Sequence, residues 1–298
     1  MHLQWLDDVL ALLEEGNLSR AAQRRNITQP AFSRRIRGFE EWLGITVLER
    51  RANSIEISAA LSSNEIEIRA LVARLHELRT RLVQFDPAST TLTMAAQHAS
   101  FYATYPDMAL RAKVHLPGLR WRVRAGNLND CVSLFLRGDA SFLLCYEAEN
   151  IGSLKFGSDI QRGIWGKDFL IPVVGGNLRH RVSASGEVPE DTPAIAYPEE
   201  SYFGEVLNKN QRAFGTVSNC VNPFAIMAFS SGSREMVLKG LGIGWLPIGM
   251  IYRELESGAA ISLASSYGME PLEAAIYADM KAPMSDILMN LWSSRGDG

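Results

Sequence analysis

Residues 17–43 read NLSRAAQRRNITQPAFSRRIRGFEEWL, and this stretch decides how the chain begins. In its second half the apolar residues recur at spacings of four, three and four, which is the period of one side of a helix. They are Phe32, Ile36, Phe39 and Leu43. The spacing predicts an amphipathic helix that buries this side against the preceding helices.

The residues before the apolar series predict where two helices begin. Thr28 is a suitable N-cap, and Pro30 falls within the first turn of the helix that follows it. A shorter helix is expected from about Ser19 to Arg25, with Ser19 as its cap. The small side chains of residues 21 and 22 would let the two helices cross steeply, as in a helix-turn-helix.

Charge in this stretch is strongly local. Six arginines and no acidic residue lie between positions 19 and 37, at positions 20, 24, 25, 34, 35 and 37. The acidic residues flank it: Asp7, Asp8, Glu14 and Glu15 before, and Glu40 and Glu41 after. Six unpaired guanidinium groups would suit contacts to phosphates and to base edges. The alternative is an ordinary surface helix pair.

Fixed spacings in this stretch resemble a known family. They are Leu18-Ser19-x-Ala21-Ala22, then Thr28-Gln29-Pro30-Ala31-x-Ser33-x-x-Ile36, then Phe39-Glu40 and Leu43-Gly44. The series resembles the winged helix-turn-helix of LysR-type transcriptional regulators. The resemblance implies that the second helix lies in the major groove of double-stranded DNA. The expected DNA contacts are Ser19, Arg20, Thr28, Gln29, Pro30, Ser33, Arg34 and Arg37, with Arg50 and Arg51 from the wing.

Length and composition bound the rest of the molecule. A chain of 298 residues predicts two or three domains. A net charge of −3 does not suit a protein that coats nucleic acid, so DNA contact would depend on the local basic patch. The first 16 residues carry acids where a signal peptide would carry bases, and they read as an amphipathic helix. With no apolar run of membrane-spanning length, we expect a cytoplasmic protein without membrane contact.

Two further segments complete the predicted N-terminal half. Residues 45–58 contain two short extended runs around residues 52–54, where the family has its wing, and Arg50 and Arg51 would lie at its base. As an alternative, both arginines form ordinary surface pairs. Residues 59–85 carry an apolar heptad series: Leu61, Ile68, Leu75 and Leu82, interleaved with Leu71, Leu78 and Phe85. This series predicts a long linker helix that pairs with a second copy. The alternative is a helix packed on the chain's own effector domain.

After a hinge at residues 86–89, strands and helices alternate, which predicts an α/β domain with a parallel sheet. The family resemblance implies a periplasmic-binding-protein-like, two-lobed effector domain. The predicted domains are a winged helix-turn-helix over 1–58, a linker helix over 59–88 and an effector domain over 89–298. Lobe I would comprise 89–163 and 268–298, and lobe II would comprise 164–267.

Ligands bind outside the carboxyl ends of strands in such sheets, and three stretches are expected there. The first follows the first strand of the domain, where a serine hydroxyl beside free backbone N–H groups would favour an anion. The second opens a helix after position 197, and the third ends a strand near position 146. The candidate effector-binding residues are His98, Ser100, Tyr146, Ser201, Tyr202 and Phe203.

Two glycine-containing stretches bear on chemistry. The glycines of residues 240–247 follow a helix and precede a strand, the reverse of a dinucleotide-binding turn, so no cofactor is expected. This stretch instead resembles the G-x-G-[IV]-x-x-L-P turn of LysR effector domains. Residues 96–100, 201–204 and 241–247 also resemble the hypochlorite-responsive branch of that family. Where that branch reads S-Y-M-G, this chain has Phe203, so the resemblance implies the cleft and not the methionine oxidation.

The sequence therefore favours a DNA-binding regulator that forms a dimer, or a tetramer by family resemblance, and responds to a small-molecule effector. RNA polymerase is a further partner that the resemblance allows. One alternative is a solute-binding or enzymatic α/β protein. However, no paired carboxylates, metal-spaced histidines or nucleophile elbow favour an enzyme or a metal site. A second alternative is a cysteine-based redox sensor, although Cys131, Cys145 and Cys220 are widely spaced.

Overall fold

The computed structural model of the protein describes residues 3–51, 54–83, 90–189, 191–210 and 223–293. The chain divides into two compact units, residues 1–87 and residues 88–298. The predicted hinge at residues 86–89 lies outside the described residues. The three predicted domain boundaries and the two lobes stay predictions.

The first unit is a helical domain with a small hairpin. Its elements are α1 (Leu3–Glu15), α2 (Leu18–Arg24), α3 (Gln29–Leu43), β1 (Leu48–Arg51), β2 (Ser54–Ile57), α4 (Ala59–Ser63) and α5 (Glu65–Val83). Strands β1 and β2 pair antiparallel, as a wing requires, and their connection lies outside the described residues. Asn26 takes a left-handed conformation (φ 54°) in the turn between α2 and α3, a conformation that asparagine tolerates.

The apolar spacing located most of the core of this unit. Phe32, Ile36 and Phe39 of α3 are buried against α1 and α2, as predicted. The prediction that Leu43 is buried is wrong. Leu43 is the last residue of α3, and its side chain is exposed. The predicted cap of α2 is wrong as well. Asn17 caps that helix by accepting from the backbone N–H groups of Ser19 and Arg20.

The predicted linker helix is interrupted at Asn64. The side-chain amide of Asn64 donates to the carbonyl of Ala60 at 2.8 Å, and its backbone N–H turns back to the carbonyl of Leu61. An asparagine that bonds its own backbone in this way competes with the helical ladder. The chain therefore forms the short α4 and the longer α5 in place of one continuous helix.

The predicted heptad series, which spans α4 and α5, divides into a buried part and an exposed part. Leu61 of α4 is buried in the core of the first unit, and Ile68 and Leu75 of α5 pack against that core. Leu71, Leu78 and Leu82 are exposed by 48%, 43% and 69%. The prediction that the whole series forms one intermolecular seam is therefore wrong, because Leu61, Ile68 and Leu75 cover the chain's own core.

The second unit is an α/β domain. Its helices are α6 (His98–Ala103), α7 (Tyr105–His115), α8 (Leu128–Leu136), α9 (Tyr202–Lys209), α10 (Ser230–Leu238), α11 (Ile248–Glu256), α12 (Ala264–Tyr267) and α13 (Ser285–Ser293). Its strands are β3 (Thr90–Gln97), β4 (Leu119–Gly126), β5 (Phe142–Ala148), β6 (Ile160–Gly175), β7 (Ala194–Ala196), β8 (Ala225–Ile226), β9 (Ile243–Pro247), β10 (Ala260–Ser262) and β11 (Glu270–Asp279).

The sheet is mixed rather than parallel throughout. Within the described residues its order is β4-β3-β5-β11-β6-β9-β7-β8, with β10 on β6. The first three strands pair in parallel, as predicted. Strand β11 is antiparallel to both β5 and β6, and β6 is antiparallel to β9. The long strands β6 and β11 thus join the β3–β5 part of the sheet to the β7–β9 part, and the predicted fold class is confirmed.

Two helices follow β3 in close succession. Helix α6 ends at Ala103, and α7 begins at Tyr105. Thr104 interrupts the backbone (φ −124°), and Pro106 lies in the first turn of α7, a position that suits proline.

Candidate nucleic-acid interface and effector cleft

The exposed side of α3 is the candidate nucleic-acid interface. Thr28 occupies the N-cap position without a side-chain capping bond. Gln29, Pro30, Arg34 and Arg37 are exposed, and Ser33 is half-buried. Arg34 and Arg37 are three residues apart, so they project on nearly the same side of the helix.

The prediction of six unpaired arginines is wrong, because acids of α1 reach back to this stretch. Arg24 forms ion pairs with Glu14 and Glu15. Arg25 lies 2.7 Å from Asp8, and Arg35 lies 3.4 Å from the same carboxylate. The stretch contains no acids in sequence, but acids of α1 neutralise half of its six arginines in three dimensions.

Three arginines of the stretch keep their charge available. Arg20 is exposed, and among the described residues its side chain donates only to the backbone carbonyl of Glu15, at 2.9 Å. Arg34 and Arg37 have no acidic partner among the residues that the structure describes. Ser19 and Thr28 are exposed beside them. Arg50 and Arg51 lie on β1, and the structure describes their backbone only.

In the second unit, a small cavity lies where four helices begin. We call it the helix-start cavity; it holds about 20 Å³. Its walls include the first residue of α6, α8, α9 and α10, namely His98, Leu128, Tyr202 and Ser230. Backbone N–H groups and the helix dipoles make such a place favourable to negative charge. A volume of this size matches about one water molecule.

A larger opening adjoins it. This outer cavity holds about 390 Å³ and shares Asn127, Leu128, Ser201, Tyr202 and Ala228 with the helix-start cavity. Its other walls are rich in carboxylates: Asp130, Glu147, Glu200 and Glu205. The two neighbouring cavities therefore differ in character: among the described residues, no acidic side chain lines the inner one, whereas several line the outer one.

Most of the predicted effector-binding residues meet at these cavities. His98, Ser201, Tyr202 and Phe203 line the helix-start cavity. Tyr146 lines the outer cavity. Burial lowers the pKa of His98, and Asp130 opposes that shift. The imidazole is also in edge-on contact with the ring of Phe229, with 4.8 Å between centroids.

Ser100 is placed differently from the prediction. It is fully buried, and its hydroxyl donates to the carbonyl oxygens of Gln97 and Leu144, at 3.0 and 3.1 Å. The hydroxyl thus ties α6 to strand β5 and is not among the cavity walls. The expectation that the Ser100 hydroxyl faces a ligand is not met, because the hydroxyl donates to carbonyl oxygens inside the protein.

The tyrosines of the cleft use their hydroxyl groups internally. The Tyr146 hydroxyl donates to a carboxylate oxygen of Asp168 at 2.6 Å. Burial, followed by the charge of Asp168, holds the pKa of Tyr146 well above its ordinary value. The Tyr202 hydroxyl accepts a 2.6 Å hydrogen bond from the backbone N–H of Ala148, and burial likewise raises its pKa. Phe203 packs between the rings of Tyr146 and Tyr197.

Four polar residues that line the helix-start cavity were not among the predicted effector-binding residues: Gln97, Asn127, Tyr197 and Ser230. Gln97 is buried and accepts from the backbone N–H of Tyr146 at 2.9 Å. The hydroxyl of Tyr197 donates to Ser230 at 2.9 Å. A usable signal existed for Asn127, because it directly precedes a helix after a strand.

The described thiols are buried away from the cleft walls. Cys131 and Cys145 are both free and fully buried. Burial raises the pKa of Cys131 to about 11 and that of Cys145 well above its ordinary value. Because the thiolate is the reactive form, both are unsuited to redox sensing. Cys220, the third thiol, lies outside the described residues.

Among the described residues, no group of three or more histidine, cysteine, aspartate or glutamate side chains is placed to hold a metal ion. Within the same residues, no helix combines the length and the apolar content needed to cross a membrane.

Comparison with known proteins agrees with this geometry. Residues 3–60 match the family described as bacterial regulatory helix-turn-helix protein, lysR family. The chain is 26% identical over 293 residues to the HTH-type transcriptional regulator YjiE of Escherichia coli K12, covering 97% of this chain and 92% of that one.

Two solved structures are similar over nearly the whole chain. The full-length structure of HypT from Salmonella typhimurium, a hypochlorite-specific LysR-type transcriptional regulator, superposes with a TM-score of 0.65 at 26% identity, covering 98% of this chain and 96% of that one. Vibrio fischeri DarR, solved in complex with DNA, superposes with a TM-score of 0.62 at 24% identity, covering 98% and 97%, and shows the shared fold.

The helix-turn-helix unit, the mixed α/β unit and these similarities define a DNA-binding transcriptional regulator with an effector domain. Residues 3–60 form a helix-turn-helix domain of the lysR family, and over nearly its whole length the chain is similar to LysR-type regulators.

Proposed function

We propose that α3 enters the major groove of an operator and that Arg34 and Arg37, with Gln29 and Ser33, make its principal contacts. The observation that carries this proposal is a contrast within one short stretch. Arg24, Arg25 and Arg35 are neutralised by acids of α1, whereas Arg34 and Arg37 are exposed without an acidic partner among the described residues. Arginine suits both phosphates and guanine edges. Ser19, Arg20, Thr28 and Pro30 would border the same surface, and Arg50 and Arg51 would reach the backbone from the wing.

The exposed stripe of α5 supports a dimer. Leu71, Leu78 and Leu82 are separated by seven and four residues, the spacing of a coiled-coil seam. Two copies joined in this way would present two α3 helices to two half-sites. A tetramer and contact with RNA polymerase remain extensions by family resemblance, and such a protein would act in the cytoplasm. The proposal assigns it no catalytic step.

The effector domain is proposed to respond to a small ligand at the helix-start cavity. The starts of α8, α9 and α10 favour an anionic group there, while the carboxylates of the outer cavity disfavour a large anion. His98, Ser201 and Tyr202 are the side chains best placed to meet it. A ligand shifts DNA binding only if it binds two arrangements of the protein with different affinity. With Phe203 where the hypochlorite branch has methionine, oxidation at this position is not part of the proposal.

The DNA-binding proposal can be tested with a duplex that the wild-type protein selects from a randomised pool. Arg34→Ala should weaken binding by about 1–3 kcal/mol and reduce the slope of log affinity against log salt by about 1. Arg253→Ala is the matched control, since it removes an exposed arginine from the second unit. If the two variants bind the selected duplex equally well, the groove assignment is wrong.

A further inference from the structure

Asp8 is a fully buried carboxylate at the centre of the DNA-binding unit. It projects from α1, and its two oxygens hold different partners. One accepts from the Nε of Arg25 at 2.7 Å, and the other lies 3.4 Å from an Nη of Arg35. Arg25 is the C-cap residue of α2, and Arg35 lies in α3. One side chain therefore joins all three helices of the helix-turn-helix.

The bridge sets the rotation of α3. Residues on a helix are about 100° apart, so Arg34 and Arg37 lie within about 60° of each other. Arg35 lies about 100° from Arg34 and is drawn toward α1 by Asp8. Pulling Arg35 inward turns Arg34 and Arg37 outward together. Gly38 assists on the same helix, because a Cβ there would lie only 3.1 Å from the ring of Trp5 on α1.

The same carboxylate also removes charge that DNA would otherwise attract. Without Asp8, Arg35 would lose its acidic partner and Arg25 would keep only the longer contact with Asp7, at 3.6 Å, so both guanidinium groups would be more open to phosphates of any sequence. Phosphate contacts add affinity without sequence information, whereas base contacts supply the specificity. Because removing a charge from water costs free energy, a buried carboxylate with two arginine partners is weak support for stability, which leaves room for a role in positioning.

We propose that Asp8 is a positioning and specificity-determining residue: it holds Arg35 so that Arg34 and Arg37 face the groove, and it withholds Arg25 and Arg35 from nonspecific phosphate contact. The inference rests on the proposed role of α3. It assigns to a buried residue of α1 control over how strongly the protein prefers its operator.

The test is the ratio of affinities for the selected duplex and for a shuffled duplex of equal length. Asp8→Asn should weaken binding to the selected duplex and strengthen binding to the shuffled one, so that the ratio falls at least about tenfold. General damage to the fold would instead lower both affinities together, and circular dichroism melting separates that case.

Asp7→Asn is the matched control. It removes the same charge from the neighbouring position, where Asp7 contacts Arg25 at 3.6 Å and His76 at 3.1 Å and forms no described contact with Arg35. It should raise both affinities by a similar factor and leave the ratio within about twofold. A folded Asp8→Asn protein whose ratio equals that of Asp7→Asn overturns the proposal.

Arg35→Gln approaches the bridge from its other side and leaves Asp8 paired with Arg25, which keeps the proposal testable if Asp8→Asn does not fold. Its control is Arg24→Gln, with the same loss of charge at a more exposed pair. Arg35→Gln should lower the ratio and Arg24→Gln should not; equal ratios contradict the inference. Arg34→Ala in the same assay separates failure of the Asp8 proposal from failure of the α3 proposal, because normal binding by that variant refutes the role of α3 itself.

Discussion

The hydroxyl of Tyr202 accepts a hydrogen bond from the backbone N–H of Ala148 at 2.6 Å. Tyr202 opens α9, and Ala148 ends β5, so this bond links two elements that are far apart in the sequence. Two further bonds hold α9 in place: Asn150, just after β5, donates to the carbonyl of Val206 at 3.1 Å, and Asn210, just after α9, donates to Glu270 of β11 at 2.7 Å. Helix α9 is thereby held against the cavity that its own first turn lines.

Tyr202→Phe removes this acceptor and leaves the ring in place. The buried N–H of Ala148 then loses its partner, which should lower the free energy of unfolding by about 1–3 kcal/mol. Urea unfolding followed by circular dichroism measures the change. Tyr102→Phe is the control, because Tyr102 is exposed and its contact with Arg234 uses the ring face. Equal stability of the two variants would mean that the Tyr202 bond contributes nothing.

His98 should make stability depend on pH. Burial lowers its pKa in the folded state, so the unfolded chain binds the proton more readily. The contribution of His98 is complete above the unfolded pKa of about 6.5 and is lost as pH falls through the lower folded pKa. The free energy of unfolding should fall between pH 7.5 and pH 5.5, which lie about one unit on either side of the unfolded pKa. It should fall more for the wild type than for His98→Gln. A parallel loss in both proteins would exclude His98 as the cause.

The described thiols should be inert while the protein is folded. In a Cys220→Ser background, Cys131 and Cys145 should react with a thiol-specific disulfide reagent only after denaturant is added, because burial raises the pKa of both. Absorbance of the released thiolate reports the reaction. Rapid modification of either residue in native buffer would revive the cysteine-based redox sensor.

The exposed stripe of α5 should hold two copies together. Leu78→Glu places a charge in the proposed seam and should shift the protein toward monomers, as sedimentation velocity would record. Ile66→Glu is the control: Ile66 is 85% exposed on the opposite side of α5 and should tolerate the charge without dissociation. Dissociation by both variants, or by neither, would place the dimer contact elsewhere.

What the sequence could predict follows from how local each feature is. The buried side of α3 was predictable, since side-chain periodicity within one helix determines that Phe32, Ile36 and Phe39 share a face. The pairing of Asp8 with Arg35 was not, because 27 residues separate them and only the packing of α1 on α3 brings them together. The charge pattern therefore identified the right stretch and overestimated its free charge.

The effector cleft shows the same division. Sequence pattern placed residues 98–100 and 201–203 at the start of helices beside strand ends, and the structure brings most of them to one cavity. The direction of the Ser100 hydroxyl depended on a carbonyl of Leu144, in a strand that is adjacent only in three dimensions. Likewise, the break at Asn64 arose from a local side-chain bond that the heptad pattern does not record.

The most direct test of the central claim is protection of guanine N7, a major-groove atom, from methylation by dimethyl sulfate in the selected duplex. The wild-type protein should protect guanines in two half-sites about one helical turn apart. Arg34→Ala combined with Arg37→Ala should abolish that protection at protein concentrations high enough to keep the duplex bound. If the double variant protects the same guanines as the wild type, α3 does not read this groove.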